Sequence, residues 1–201
     1  MSEGLTRVRA VTVAVAILLS LCIAPRAGAE SALEHLRVGV DRVFDALGDP
    51  ALDGKTDERR QVIHRLVGDL FDWTEMGRRL LGAIWNDRTA GERARFTGFL
   101  ANMIDAHLLD AHLLALAASG VDHVVWNEQT ISGGEATVRT TVVTKHGQRL
   151  PLDYRMTLRD DRWRIYDVAI DKASLLGNYR AQFRQIIKKS SYEALVDKLS
   201  Q

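Results

Sequence analysis

Cysteine is nearly missing from this sequence: Cys22 is the single one among 201 residues. It falls within residues 1–29, which we predict below to be removed, so the mature chain is expected to have no disulfide and no thiol nucleophile. Without disulfides, a folded domain depends on its own hydrophobic core. The 172 residues that follow position 29 are enough to build one such core, and we expect a single domain over residues 30–201.

The sequence also has no excess of charge of either sign. It contains 27 lysines and arginines against 26 aspartates and glutamates, and residues 1–29 account for three of the arginines and one of the glutamates. The remaining 24 basic and 25 acidic residues give the mature chain a formal charge near −1. Nucleic-acid binding requires a basic surface that neutralises phosphates, so this balance argues against nucleic acid and against bulk attraction to anionic lipid.

One apolar run stands out at the N-terminus. Residues 10–24 are apolar, Arg7 and Arg9 precede them, and Ala27-Gly28-Ala29 follows as an A-x-A cleavage signal. The run is short for a membrane span, which makes an uncleaved anchor the less favoured alternative. The pattern predicts a secretory signal peptide over residues 1–29, cleaved after Ala29.

Helical spacing governs the next part of the chain. Apolar residues at steps of three and four predict a helix over residues 31–47, a break at Gly48-Asp49-Pro50, and a second helix from about Asp57. Two capping boxes follow, each with a polar cap residue three positions before a glutamate. Asp72 with Glu75 opens a short third helix, and Thr89 with Glu92 opens a longer fourth helix that runs toward Gly120.

The period then changes to that of strands. Apolar and polar residues alternate over residues 136–145 and 150–159, a third strand follows at 162–170, and residues 121–129 form one more. Short turns between these segments predict an antiparallel meander with one buried face. Two helices, at 174–189 and 192–199, close the chain. Helices, a meander and further helices indicate a single α+β domain.

The sequence offers little catalytic or metal-binding chemistry. His107 and His112 have acidic neighbours in Asp105 and Asp110, but five positions separate the two histidines and place them on different faces of a helix. No nucleophile elbow, zinc-protease motif or phosphate-binding glycine loop occurs. We therefore expect no catalytic residue, no metal site and no cofactor.

Two groups of polar residues leave alternatives open. Acidic and phenolic residues on the predicted strands could supply the acid–base pair of a small pocket enzyme: Asp153, Tyr154, Tyr166 and Asp167. Such residues are more often turn or core-edge positions. Basic residues at four-residue spacing on the first C-terminal helix form a face that is usually solvated, and that would serve an adaptor as its docking surface: Arg180, Arg184 and Lys188.

Two separated blocks resemble one known family. Residues 71–85 read FDWTEMGRRLLGAIW and resemble the family pattern F-D-x-x-x-M-x-R-x-x-L-G-x-x-W. Residues 166–168 with 174–183 read YDV and SLLGNYRAQF, similar to Y-D-V followed by S-L-x-x-N-Y-R-x-x-F. These are patterns of the MlaC family of periplasmic phospholipid-binding transport proteins, also called toluene-tolerance proteins. Lys172 departs from the pattern, because the family usually has glycine there.

The resemblance implies a fold, a function and partners. The fold is NTF2-like, with N-terminal and C-terminal helices packed on the meander and an apolar cavity between them. The function is that of a soluble periplasmic carrier without catalysis or cofactor, which shuttles phospholipid between an inner-membrane ABC transporter complex and an outer-membrane lipoprotein–porin complex. A hopanoid-associated branch of the family, HpnM, shares the motifs, so a hopanoid is the alternative ligand.

The motif blocks and the periodicity together predict which side chains line the lipid pocket. Most are apolar or aromatic: Met76, Leu80, Trp85, Phe99, Met103, Tyr154, Met156, Tyr166, Val168, Tyr179 and Phe183.

Overall fold

Six helices and five strands make up the part of the chain that the computed structural model describes, residues 31–105 and 120–200. The N-terminal helices are α1 (Ala32–Gly48), α2 (Thr56–Leu70), α3 (Trp73–Leu81) and α4 (Ala90–Asp105), with 3₁₀ turns at Pro50–Leu52 and Gly82–Trp85. The strands are β1 (Val121–Ser132), β2 (Glu135–Thr144), β3 (Arg149–Arg159), β4 (Arg162–Ile170) and β5 (Ala173–Ser174). Helices α5 (Leu175–Lys189) and α6 (Tyr192–Leu199) follow.

Both predicted N-caps open their helices, but only the cap of α4 is a full capping box, because at α3 the Asp72 backbone N–H donates to the Ile165 carbonyl and not to Glu75. The Asp72 side chain accepts a hydrogen bond from the Glu75 backbone N–H at 2.8 Å, and thereby satisfies a free donor of α3. Before α4, the Thr89 side chain accepts from the Glu92 N–H at 3.2 Å, and the Glu92 carboxylate accepts from the Thr89 N–H at 2.7 Å. The predicted course of this fourth helix beyond Asp105 lies outside the described residues.

The strands form one antiparallel sheet in the order β1-β2-β3-β4-β5, which confirms the α+β meander. In the register, Tyr154 of β3 lies between Val138 of β2 and Val168 of β4, and these three side chains share the face toward α1 and α2. A bulge interrupts the pairing of β3 with β4, because Tyr166 is an extra residue on β4. The bulge changes which side chains of β4 reach each face.

The helices cover the sheet from two regions. Helices α1 and α2 pack on each other, and both contribute buried residues to the core. Helix α3 packs against α4 and α5, and the backbone N–H of Asp72 donates to the Ile165 carbonyl at 2.8 Å, which ties the start of α3 to β4. Within the described residues, no helix has the length and hydropathy needed to cross a membrane.

The turn after β4 shows why glycine would suit the position of Lys172. Asp171 and Lys172 have φ angles of +47° and +69°, in the left-handed region that glycine adopts without steric cost. A glycine at position 172 would relieve this conformation, so Lys172 affects the backbone of the turn between β4 and β5. The turn leads directly to Ser174, whose side chain accepts from the Gly177 N–H at 2.8 Å and caps α5.

Candidate functional site

An apolar cavity of about 120 Å³ lies between α1, α2 and the inner face of the sheet. Its helical wall consists of Val40, Val43, Phe44, Val67, Leu70 and Phe71. Its sheet wall consists of Val124, Val142, Leu150, Leu152, Tyr154, Ile165, Val168 and Ile170. Among the described residues, no charged side chain belongs to this lining. The cavity is therefore suited to hydrocarbon and provides no charged group to bind a polar ligand.

Tyr154 carries the one polar side chain in the part of the cavity lining that the structure describes. Burial raises the pKa of the Tyr154 hydroxyl to about 12, and a hydrogen bond to the Thr140 side chain opposes that rise. The hydroxyl consequently stays neutral at physiological pH. Thr140 in turn donates to the Leu152 carbonyl at 3.3 Å. This short network satisfies the polar atoms of the wall within the sheet and leaves the cavity surface apolar.

A polar depression adjoins the cavity at α1 and β1. Phe44 and Val124 line both spaces. The depression has a volume of about 490 Å³. Its rim carries an ion pair of Arg37 with Asp41 at 4.0 Å and a contact of His123 Nδ1 with the Asp122 carboxylate at 2.8 Å. A ligand with an apolar part in the cavity would have its polar part here.

The structure brings only two of the eleven predicted pocket residues to this cavity, Tyr154 and Val168. Five others are buried in the core outside the cavity lining: Met76, Leu80, Trp85, Met156 and Phe183. Tyr166 is buried beside Arg79, whose guanidinium lies 3.7 Å from the centre of its ring. The remaining three are half-buried: Phe99, Met103 and Tyr179. Contact of these nine residues with lipid stays a prediction.

Most of the cavity wall was missed by sequence reasoning. The apolar spacing over residues 31–47 predicts the helix, but nothing in it distinguishes a residue beside a cavity from a residue in a filled core. Val43 and Val67 are 6% exposed, a value typical of ordinary core positions. The motif blocks drew attention to α3, α5 and β4 instead.

The residues of the enzyme alternative do not converge on one site. Tyr154 faces the cavity, whereas Asp153 lies on the opposite face of β3, 3.8 Å from the Arg139 guanidinium. Asp167 is fully buried, and its carboxylate accepts hydrogen bonds from Arg155 at 2.9 Å, Ser174 at 2.7 Å and the Leu176 N–H at 2.9 Å. These contacts give Asp167 a structural role, because it joins β3, β4 and the start of α5.

A second ion-pair network surrounds Glu75 on α3. Arg78 donates to its carboxylate through Nε at 2.7 Å and Nη2 at 2.5 Å, and Arg79 Nε donates at 2.6 Å. Arg159 of β3 lies 3.4 Å away. The hydrogen bonds from Arg78, and with them those from Arg79, lower the pKa of Glu75 to about 2 although burial acts in the opposite direction. Glu75 therefore stays ionised and connects α3 to the sheet.

Of the residues considered as metal ligands, His107, Asp110 and His112 lie outside the described residues, as does the side chain of Asp105. Within the described ranges, no group of three histidine, aspartate or glutamate side chains is arranged to hold a metal ion.

Comparison with known proteins agrees with this architecture. The family described as MlaC protein matches residues 38–201. The fold is similar to the solved structure of a phospholipid-binding protein from Ralstonia solanacearum, which is in complex with a phospholipid. The TM-score is 0.73 at 23% sequence identity, over 85% of this chain and 96% of that one. Among curated proteins, none matches this sequence.

Proposed function

The chain belongs to the MlaC family, and from that membership we propose that it is a periplasmic lipid carrier whose apolar cavity holds the acyl chains of a phospholipid. The single observation that supports this most strongly is the cavity wall, in which every described side chain but Tyr154 is hydrocarbon. The protein from Ralstonia solanacearum with a similar fold binds a phospholipid. Carriage of this kind needs no catalytic residue.

The energy of acyl-chain exposure explains why such a carrier must enclose its ligand. Burial of one CH₂ group is worth about 0.8 kcal/mol. Two ordinary acyl chains in water therefore cost on the order of 20 kcal/mol or more. A lipid crosses an aqueous space only if a protein covers its tails, whereas its polar head can stay hydrated. The polar depression beside Phe44 and Val124 provides that place for the head.

The cavity must widen to accept a whole lipid. Its volume of about 120 Å³ is below the roughly 300–1,000 Å³ of ordinary ligand pockets. Strands β1 to β4 are joined by hydrogen-bonded pairing, so the sheet is the more rigid wall. We infer that α1 and α2 move away from the sheet when acyl chains enter.

The proposal extends to export and transport. The predicted signal peptide over residues 1–29 and the single domain over residues 30–201 fit a protein that is delivered to the periplasm and processed there. In that compartment the carrier would take lipid from one membrane complex and deliver it to another: an inner-membrane ABC transporter complex and an outer-membrane lipoprotein–porin complex. The family membership supports these partners.

The test is organic extraction of protein purified from the periplasmic fraction, followed by mass spectrometry of the lipid and of the intact chain. The proposal predicts about one phospholipid for each protein molecule. It also predicts the mass of a mature chain whose first residue is Glu30. A hopanoid in place of phospholipid would identify the hopanoid-associated branch. Folded protein that carries no lipid, even after incubation with membranes, contradicts the proposal.

A matched pair of variants links the bound lipid to the cavity. Leu150 lines the cavity, whereas its neighbour Arg149 is exposed on the opposite face of β3. Leu150→Trp fills part of the cavity and should lower the extracted lipid several-fold, because the indole ring takes up volume that the acyl chains need. Arg149→Trp should leave the lipid content unchanged. Equal lipid content in the two folded variants would place the ligand elsewhere.

A further inference from the structure

A cleft of about 450 Å³ lies outside the apolar cavity and shares none of its lining residues. Strand β4 separates the two spaces, because Ile165 and Val168 line the cavity while Tyr166 and Asp167, at the bulge, line the cleft. Four arginines contribute to it, and we call it the arginine cleft: Arg78, Arg79, Arg155 and Arg180. The lipid proposal makes no use of this cleft.

Carboxylates lie beneath the arginine cleft and guanidinium groups form its rim. The Glu75 side chain, which holds Arg78 and Arg79, is 5% exposed, and the Asp167 side chain, which holds Arg155, is 0% exposed. The Arg78 and Arg155 side chains are 53% and 47% exposed, and Glu135, which also pairs with Arg79, is 53% exposed and does not line the cleft. Among the described lining residues, four guanidinium groups accompany one carboxylate, that of Asp167, so the cleft carries a net positive charge.

The buried carboxylates also fix the arginines in place. A guanidinium has five N–H donors, and Arg155 uses one of its nitrogens on Asp167. Arg78 uses Nε and Nη2 on Glu75, which leaves Nη1 free of that pair. Arginines held in this way lose little side-chain entropy when an anion binds, because their geometry is already set.

Arg180 adds a second observation at the same cleft. It is half-buried on α5, and its Nε–H is buried without a hydrogen-bond partner among the described residues. A buried donor without a partner is unfavourable, and structures usually satisfy such a group. An acceptor in the cleft would complete the hydrogen bonding of Arg180.

We propose that the arginine cleft binds the carboxylates of an acidic segment on a protein partner. Guanidinium and carboxylate groups match in planar, bidentate geometry. The four guanidinium groups belong to three elements, α3, β3 and α5, and therefore present donors to several carboxylates along the cleft. A membrane surface is the less favoured ligand, because the mature chain has a formal charge near −1 and no bulk attraction to anionic lipid.

The experiment measures fluorescence anisotropy of a labelled, amidated hexaglutamate peptide with the full mature protein at low ionic strength, and hexaglutamine is the control peptide. Wild-type protein should bind hexaglutamate and not hexaglutamine. Arg180→Gln should weaken binding at least about ten-fold, since charge-assisted hydrogen bonds are lost. The matched control is Arg184→Gln, one turn further along α5, exposed and outside the cleft lining. It should change the affinity by less than about two-fold.

A second variant covers the case in which Arg180→Gln fails to fold. Arg78→Gln leaves Glu75 with Arg79 and Arg159, and it should also weaken hexaglutamate binding. Circular dichroism checks that each variant is folded. Lipid extraction from Arg180→Gln should equal that from wild type, so this result is separate from the lipid proposal.

Four results would overturn the inference. The first is that wild-type protein shows no preference for hexaglutamate over hexaglutamine, and the second is that Arg180→Gln and Arg184→Gln lose affinity equally. Displacement of hexaglutamate by an equal concentration of inorganic phosphate would indicate a small-oxyanion site. Binding to phosphatidylglycerol vesicles that depends on Arg180, with no such dependence for hexaglutamate, would indicate a membrane contact.

Discussion

Glu75 shows at the scale of single residues how buried charge holds the fold together. Its side chain is 5% exposed and lies within reach of three guanidinium groups, from Arg78, Arg79 and Arg159. A buried carboxylate is tolerated only when such partners compensate for its lost hydration. The network also crosses elements, since Arg159 belongs to β3. Glu75 thus fastens α3 to the sheet.

The first prediction concerns the pH dependence that Glu75 gives to stability. Its pKa in the folded state is about 2 against 4.5 for the free group, so its stabilising effect is complete above the unfolded pKa and is lost as the pH falls from about 5 toward 2. About 2 kcal/mol of its contribution should be gone at pH 3. Urea unfolding of wild type and Glu75→Gln at pH 7 and pH 3 measures this. An equal loss of stability in both proteins would contradict it.

The second prediction concerns Asp167. Replacement by Asn removes the charge that holds Arg155 and at least one accepted hydrogen bond, so the free energy of unfolding should fall by about 2 kcal/mol. Asp153→Asn is the matched control, because its carboxylate is half-exposed and 3.8 Å from Arg139; its effect should stay below about 0.5 kcal/mol. Urea titration compares the two. Two results together would support the enzyme alternative. Asp167→Asn would keep full stability, and wild-type protein would turn over a small apolar substrate that Asp167→Asn does not.

At the scale of elements, the family motifs describe a structural unit more than a pocket. Asp72 caps α3, Gly82 ends α3 at a φ of +60°, and Ser174 caps α5. Asp167 joins the sheet to α5. Because α3, β4 and α5 pack together, the two motif blocks meet in space although about 80 residues separate them in the sequence. The motifs therefore specify how the helices attach to the sheet.

This division explains which parts of the molecule could be predicted from sequence. Periodicity and caps are local properties, so the meander, the α+β class and the helices within the described residues were predicted correctly, whereas the course of the fourth helix beyond Asp105 stays a prediction. The cavity wall depends on how α1 and α2 sit over the sheet, which is a property of packing. Val43 on α1 and Phe183 on α5 look alike as buried apolar residues, yet only Val43 lines the cavity. The alternation of apolar and polar residues along β4 also did not predict the bulge at Tyr166.

The third prediction concerns movement of α1 relative to the sheet. The mature chain is expected to lack cysteine, so introduced cysteines can carry spin labels specifically. Labels at Val38 on α1 and Arg149 on β3, both exposed, should move apart by several ångströms when lipid is loaded. Labels at Thr130 and Arg149, both on the sheet, should keep their separation. Pulsed electron–electron double resonance measures both distances, and an unchanged α1–β3 distance on loading would contradict the proposed widening.

At the scale of the whole molecule, the two faces of β4 separate two kinds of chemistry. Ile165 and Val168 contribute to an apolar cavity, whereas Tyr166 and Asp167 contribute to the arginine cleft. A carrier of the proposed kind would use both properties, because it would shield an apolar cargo and also contact a partner. Since the two spaces share no lining residue among the described residues, a partner bound in the arginine cleft would leave the cavity open to lipid.

The most direct test of the central claim is photochemical labelling by a phospholipid that carries a diazirine midway along one acyl chain. After loading and irradiation, digestion and mass spectrometry identify the labelled residues. Lipid bound in the apolar cavity should give saturable labelling on α1, α2 and the inner face of the sheet, at positions such as Val43, Leu152 and Val168. Labelling that spares these positions, or labelling that never saturates, would contradict the cavity as the lipid site.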